Sequence, residues 1–172
     1  LDERDVDMAR RHFSAQVESA VPVLEHSGLV ASRGDCHLSN VKVSGVWPQF
    51  AQIEAVRIVE GRFINPIDLE QHRKVIVLPD KQADMLFPQG EHAVGGIVDI
   101  GGIPWRVCGV SKTNGDQWDT EFYAPYSTVS AIYGKGNRID RLSMVMRRVL
   151  NGNESQAFRD EYTRATSQIH DF

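Results

Sequence analysis

Apolar side chains recur at Val6, Ala9, Phe13, Val17 and Ala20. Steps of three and four place them on one stripe of an amphipathic helix over residues 5–20. Asp2 is placed to cap its start, and Pro22 closes it. The same rhythm returns at the far end, where Phe158, Tyr162, Ala165 and Ile169 step four, three and four. Asn153 and Gln156 stand where a capping box would start that helix. Between the two helices the rhythm changes. Val21 to Ala31 is rich in Val and Leu but broken at Gly28, and His37 to Val46 alternates imperfectly through Leu38, Val41 and Val43. Arg33-Gly34-Asp35 supplies a hairpin turn between them.

Residues 56–64 have strand propensity interrupted at Gly61, and Val75 to Leu78 is an apolar run short enough for a buried strand. Asp80 then caps a short helix carrying Ala83, Leu86 and Phe87 on one side, stopped by Pro88. Ile97 to Ile100 and Ile103 to Val110 flank Gly101-Gly102, a turn in which both positions take positive φ at no steric cost. A polar loop over 112–120, a strand over 121–124, a helix near 127–133 and a strand over 139–145 complete the series. Helix-bearing ends around a middle of short strands predict an α+β fold.

At 172 residues the chain buries about 70% of its unfolded surface, enough for a core without staples. Its formal charge is −4, and its Lys and Arg do not cluster, which excludes non-specific nucleic-acid binding. No apolar run approaches the ~18 residues of a membrane span, and no signal peptide opens the chain. Because it starts at Leu1, it is expected to be a piece of a longer protein. Cys36 and Cys108, in unlike contexts, are expected to be free and buried.

Candidate chemistry is sparse. No serine sits in a Gly-x-Ser-x-Gly elbow, and the glycines of 95–102 lack both dinucleotide spacing and a phosphate-loop lysine. Asp35, Cys36 and His37 are adjacent, and neighbours on a strand point to opposite faces, so they do not converge on a metal. Asn153-Glu154-Ser155 is better explained by the helix cap than by glycosylation. Neither a catalytic residue, a cofactor nor a metal is expected. Trp47, Pro48 and Phe50 form an apolar corner facing the core. Trp118, with Asp116 and Gln117 in the polar loop, is the candidate partner contact, since loop aromatics anchor interfaces.

From residue 43 the punctuation is familiar: Val43-Ser44-Gly45-Val46, Trp47-Pro48-Gln49-Phe50, Gly61-Arg62-Phe63, Val75-Ile76-Val77-Leu78, Leu86-Phe87-Pro88, Gly96 to Gly102, Val107-Cys108-Gly109-Val110 and Tyr123 to Thr128. Their shared order resembles the extracytoplasmic core domain of MacB/FtsX-type ABC transporter permeases. Pro79 and Pro88 stand where that family commonly has Gly, and Cys108 where it has Val. The motif residues have structural reasons of their own. Gly61 allows a break in the backbone, Arg62 is placed to reach Asp68, Phe63, Leu86 and Phe87 pack a core, and Gly109 permits close approach.

The resemblance implies a two-lobe domain: a porter-like lobe from residues 1–54 and 139–172, and an inserted β-rich sabre-like lobe over 55–138. It also implies a periplasmic place between two membrane helices, an ATP-binding subunit or domain on the cytoplasmic side, a permease dimer mate, and a periplasmic adaptor or substrate protein. The isolated piece is expected to be monomeric. The alternatives are a secreted non-catalytic binding module and, behind it, a small hydrolase using His37, His72 or His92.

Overall fold

The computed structural model describes residues 2–88, 90–113, 121–147 and 151–170. Helix α1 (Glu3–His12) opens on a reciprocal cap: the Asp2 carboxylate accepts the Arg4 N–H at 2.8 Å, and the Asp5 carboxylate accepts the Asp2 N–H at 2.6 Å. The helix ends at His12, well short of Ala20. From Val17 the backbone instead enters β1 (Val17–Arg33), and Pro22 lies inside that strand. It stands opposite Leu142 in the ladder with the last strand and ahead of the ladder with the next strand, which starts at Leu24, so on that second side its missing N–H costs no bond.

The expected hairpins form. β1 pairs with β2 (Cys36–Val46) across Gly34-Asp35, with shifts in register between His26 and Ala31 around Gly28. β5 (Ile97–Ile100) pairs with β6 (Ile103–Ser111) across Gly101 and Gly102, whose φ values are +60° and +84°. β3 (Ile58–Gly61) lies antiparallel on β6, and β4 (Val75–Pro79) lies parallel on its other side. β7 (Glu121–Pro125) joins β4 to β2. Because the far end of β1 also pairs with β5, through Ala31–Ile100 and Ser32–Asp99, the path β1–β2–β7–β4–β6–β5 returns to its start. β8 (Arg141–Met146) pairs with the Val17–Val23 part of β1.

The sheet pairing runs across residue 54, the boundary expected between the lobes. β2, which precedes it in sequence, is hydrogen-bonded over five residue pairs to β7 from the segment expected to be a separate insertion. The result is a sheet-rich mixed α and β fold in which β1 serves both the closed ring and the layer with β8.

Alternating residues of the strands feed two cores. Ile76, Leu78, Trp105, Val107, Phe122 and Ala124 belong to the larger one, with Leu86 and Phe87 of α4 (Asp80–Leu86) and its C-cap. Val75, Val77, Cys108 and Tyr123 belong to the second, with Phe50 of α2 (Phe50–Ile53). Phe63 packs on that second core, not on the one holding Leu86 and Phe87. The Trp47 corner packs there too, and the Arg10 guanidinium lies 5.4 Å from the Trp47 ring centre.

α3 (Pro66–Glu70) starts on another reciprocal cap, Asn65 with Asp68. α5 (Tyr126–Tyr133) follows β7 directly. α6 (Gly152–His170) begins with Asn151 and Glu154 capping each other at 2.9 and 3.1 Å, two residues before the expected Asn153–Gln156 pair.

Candidate functional site

The third core lies where α1 and α6 cover the β1–β8 layer. Met8, Ala9 and Phe13 meet Val17 and Ala20 below, and the expected stripe Phe158, Tyr162, Ala165 and Ile169 packs onto them. The Phe13 ring stands edge-on to Phe158 at 5.3 Å and tilted to Tyr162 at 5.5 Å. Phe13 follows α1 and Phe158 lies early in α6, so the two helices run antiparallel.

Their opposite ends are tied by charge. His170 Nε2 lies 2.9 Å from Asp5 Oδ2, the Asp5 side chain is fully buried, and the Tyr162 hydroxyl donates to the Asp5 carbonyl at 3.0 Å. The start of α1 and the end of α6 are thus held side by side. Asp2, Asp5 and His170 have donor atoms close enough to suggest a metal ligand set. The Arg4 guanidinium already sits on the Asp2 carboxylate at 2.8 Å and on His170 Nδ1 at 3.2 Å. A cation in their midst marks an ion-pair cluster and disfavours a metal.

A second charged network lies where the β1–β8 layer meets the ring. Glu121 accepts from Ser44 at 2.6 Å and from Arg141 at 3.0 Å, and Arg141 also reaches Glu25 at 3.3 Å. Lys42 lies 3.5 Å from Glu25, and Ser143 donates to Glu54. Four strands, β1, β2, β7 and β8, are linked through these side chains. Nearby, Lys135 bridges Asp140 at 3.2 Å and the Glu25 carbonyl at 2.8 Å.

Asp80, expected as a helix cap, follows Pro79 at the cap position and serves another purpose. Burial would push its carboxyl up. Hydrogen bonds from the Thr113 hydroxyl at 2.5 Å, from Lys112 and from the Thr113 and Lys81 amides outweigh that and hold it at about 2.

The candidate contact residues Asp116, Gln117 and Trp118 lie outside the described residues. Of the histidines weighed for a hydrolase, His37 on β2 and His72 after α3 are exposed, and His92 pairs at 3.3 Å with the Glu60 carboxylate. Among the described residues none of these three makes a hydrogen bond to a serine, threonine or cysteine. Cys36 and Cys108 are free, as expected, but only Cys108 is buried; Cys36 is half-buried against the larger core, and Cys108 belongs to the second. Arg62 reaches Asp68, as expected, through two bonds of 2.6 and 3.2 Å.

The Asp5–His170 tie was not legible beforehand. Its only local signal was the Asp2-x-x-Asp5 spacing, which reads as a cap and gives no hint of a partner 165 positions away.

The family model described as MacB-like periplasmic core domain matches residues 1–165. The chain belongs to that family. The crystal structure of the periplasmic region of MacB from Actinobacillus actinomycetemcomitans superposes with a TM-score of 0.77 over 99% of this chain and 74% of that one, at 22% identity. The extracellular domain of the ABC-type transporter YknZ from Gram-positive bacteria gives 0.78 over 99% and 84%, at 19% identity. In sequence, the probable export ATP-binding/permease protein MacB of Pseudomonas entomophila is 25% identical over 158 residues, 90% of this chain. This MacB-like domain spans only 23% of that relative's length.

No helix among the described residues is long and apolar enough to cross a membrane.

Proposed function

We propose that this chain is the extracytoplasmic domain of an ABC-type permease and that it relays ATP-driven movement to a periplasmic substrate or partner. The observation that carries the reading is the antiparallel α1–α6 pair. It joins the start of the first helix to the end of the last through Asp5 and His170 and seats both on β1 and β8 through Phe13. Two membrane helices continuing from those ends would move one packed unit. β1 would carry that movement onward, because its 17 residues run from the β8 layer into the closed ring without a break in the strand.

The two working lobes proposed here are a porter-like one built from both ends and a sabre-like one in the middle. The sheet pairing favours placing their division within β1, near Leu24, over the expected position at residue 54. The charged network of Glu25, Lys42, Glu121 and Arg141 crosses that division and would set how stiffly the lobes are coupled.

The implied partners are a cytoplasmic ATP-binding subunit or domain, a dimer mate and a periplasmic adaptor or substrate protein. The name of the Pseudomonas entomophila relative favours export as the kind of work over lipoprotein handling or signalling. In this reading the domain itself hydrolyses nothing. Mg-ATP titrated calorimetrically into the 172-residue domain is expected to give no binding heat up to millimolar nucleotide. A micromolar Kd would place nucleotide chemistry in this chain and overturn the division of labour.

A further inference from the structure

An open groove of about 790 Å³ lies beside the β4–β6 pair, away from both charged junctions. Its floor includes Val75, Val94 and Cys108. Burial pushes the Cys108 thiol up to about 11, so the floor carries no charge at neutral pH. Arg62, Arg73, Lys74 and Arg106 line the same groove. Four cations around an apolar floor stand out in a chain whose net charge is −4.

Asp68, the carboxylate paired with two of them, is completely buried. It is held by Arg62 at 2.6 Å and lies 3.7 Å from Arg73. Among the described residues, Lys74 and Arg106 make no ion pair. Arg106 gives only one guanidinium N–H to the Gly95 carbonyl, at 3.1 Å, leaving donors for another acceptor. The walls are fixed before any ligand arrives. The Gly95 N–H donates to the Val107 carbonyl at 2.8 Å, the Arg62 N–H to Cys108 at 2.9 Å, and the Arg106 N–H to Lys74 at 3.0 Å.

We propose that this groove binds a single-chain carboxylate amphiphile of fatty-acid type, its alkyl chain on Val75, Val94 and Cys108 and its carboxylate on Lys74 and Arg106. Three properties select that class. The volume lies in the range of small-ligand sites, the floor is suited to methylenes, and a guanidinium matches a carboxylate in two-point geometry. A cationic amphiphile is repelled by the rim, and a neutral one leaves Lys74 and Arg106 without a counter-charge. The site stands whether or not the parent protein exports what it binds there.

The test is titration of the ¹⁵N-labelled 172-residue domain with decanoate, decanol and decyltrimethylammonium, each kept below its micelle or solubility limit. Decanoate is expected to shift the amides of Gly61, Gly95, Val107 and Cys108 saturably, and decyltrimethylammonium to leave them unmoved. The double variant Lys74→Gln/Arg106→Gln, altered at two exposed side chains, is expected to weaken decanoate about tenfold, the worth of two solvent-exposed charge contacts. Val94→Glu, which sets a carboxylate against the floor, is expected to abolish the shifts by a separate route.

Equal response to decanol with no loss in the double variant would overturn the proposal. So would shifts confined to the α1–α6 face, or no shift at all.

Discussion

Phe13→Ala is expected to cost about 4 kcal/mol and to lower the melting temperature by about 10 °C. Phe13 is 4% exposed and sits under both aromatic rings that α6 presents. Its loss leaves a cavity that neither Phe158 nor Tyr162 can fill, since each is also stacked on the other at 6.1 Å. The damage is expected to be local first, because among the described residues the apolar side chains of α6 pack in this third core and in neither of the others. Hydrogen exchange followed by mass spectrometry should show α6 amides losing protection while those of β4 and β6 keep theirs. A cost below about 1 kcal/mol, with α6 still protected, would mean that the two helices are not docked through Phe13.

The second large effect is expected at Gly109. A Cβ built there lies 2.0 Å from the Arg62 carbonyl oxygen and 2.9 Å from its carbon, backbone atoms that cannot rotate aside because the Arg62 N–H is bonded to the Cys108 carbonyl. Gly109 faces Gly61 in the β3–β6 ladder, so the chain crosses β6 at a distance only glycine allows. Gly109→Ala is expected to cost about 3 kcal/mol or more and to loosen the Arg62–Asp68 pair that follows the crossing. Gly102→Ala provides the comparison. Its φ is +84° and open space surrounds it, so only backbone strain of about 1–2 kcal/mol is at stake. Chemical denaturation of both variants ranks them, and a Gly102 variant as damaging as the Gly109 variant would show that close approach is not what Gly109 supplies.

Much of this architecture could be read from local chemistry. Gly101-Gly102 announced the β5–β6 turn, and Phe158, Tyr162, Ala165 and Ile169 announced the face by which α6 docks. The Arg62–Asp68 pair spans only six positions and was legible from the Gly-Arg-Phe motif that holds it. The failures have physical causes. Residues 13–20 resemble a helix because a register shift between Val17 and Ser19 lets Val17 and Ala20, three positions apart, enter the same third core, and beyond them β1 is buried on both faces, with Val21 and Val23 in the second core. Burial on two sides erases the period of two that marks a strand with one exposed face.

Closure of the ring was equally hidden. It rests on two residue pairs, Ala31–Ile100 and Ser32–Asp99, which no local pattern connects. The tie between Asp5 and His170 joins opposite ends of the chain, so neither residue signals the other.

The most direct measurement is of movement in the intact parent protein. A spin label is placed at the exposed hairpin turn by Asp35→Cys, in a background with Cys36→Ser, Cys108→Val and no other cysteine. Electron–electron double resonance then gives the distance between the labels of two protomers in the membrane. A domain that relays ATP-driven motion between dimer mates predicts a distance distribution displaced by about 5 Å or more between the nucleotide-free and ATP-trapped states. The same distribution in both states, or no coupling between labels, would contradict it.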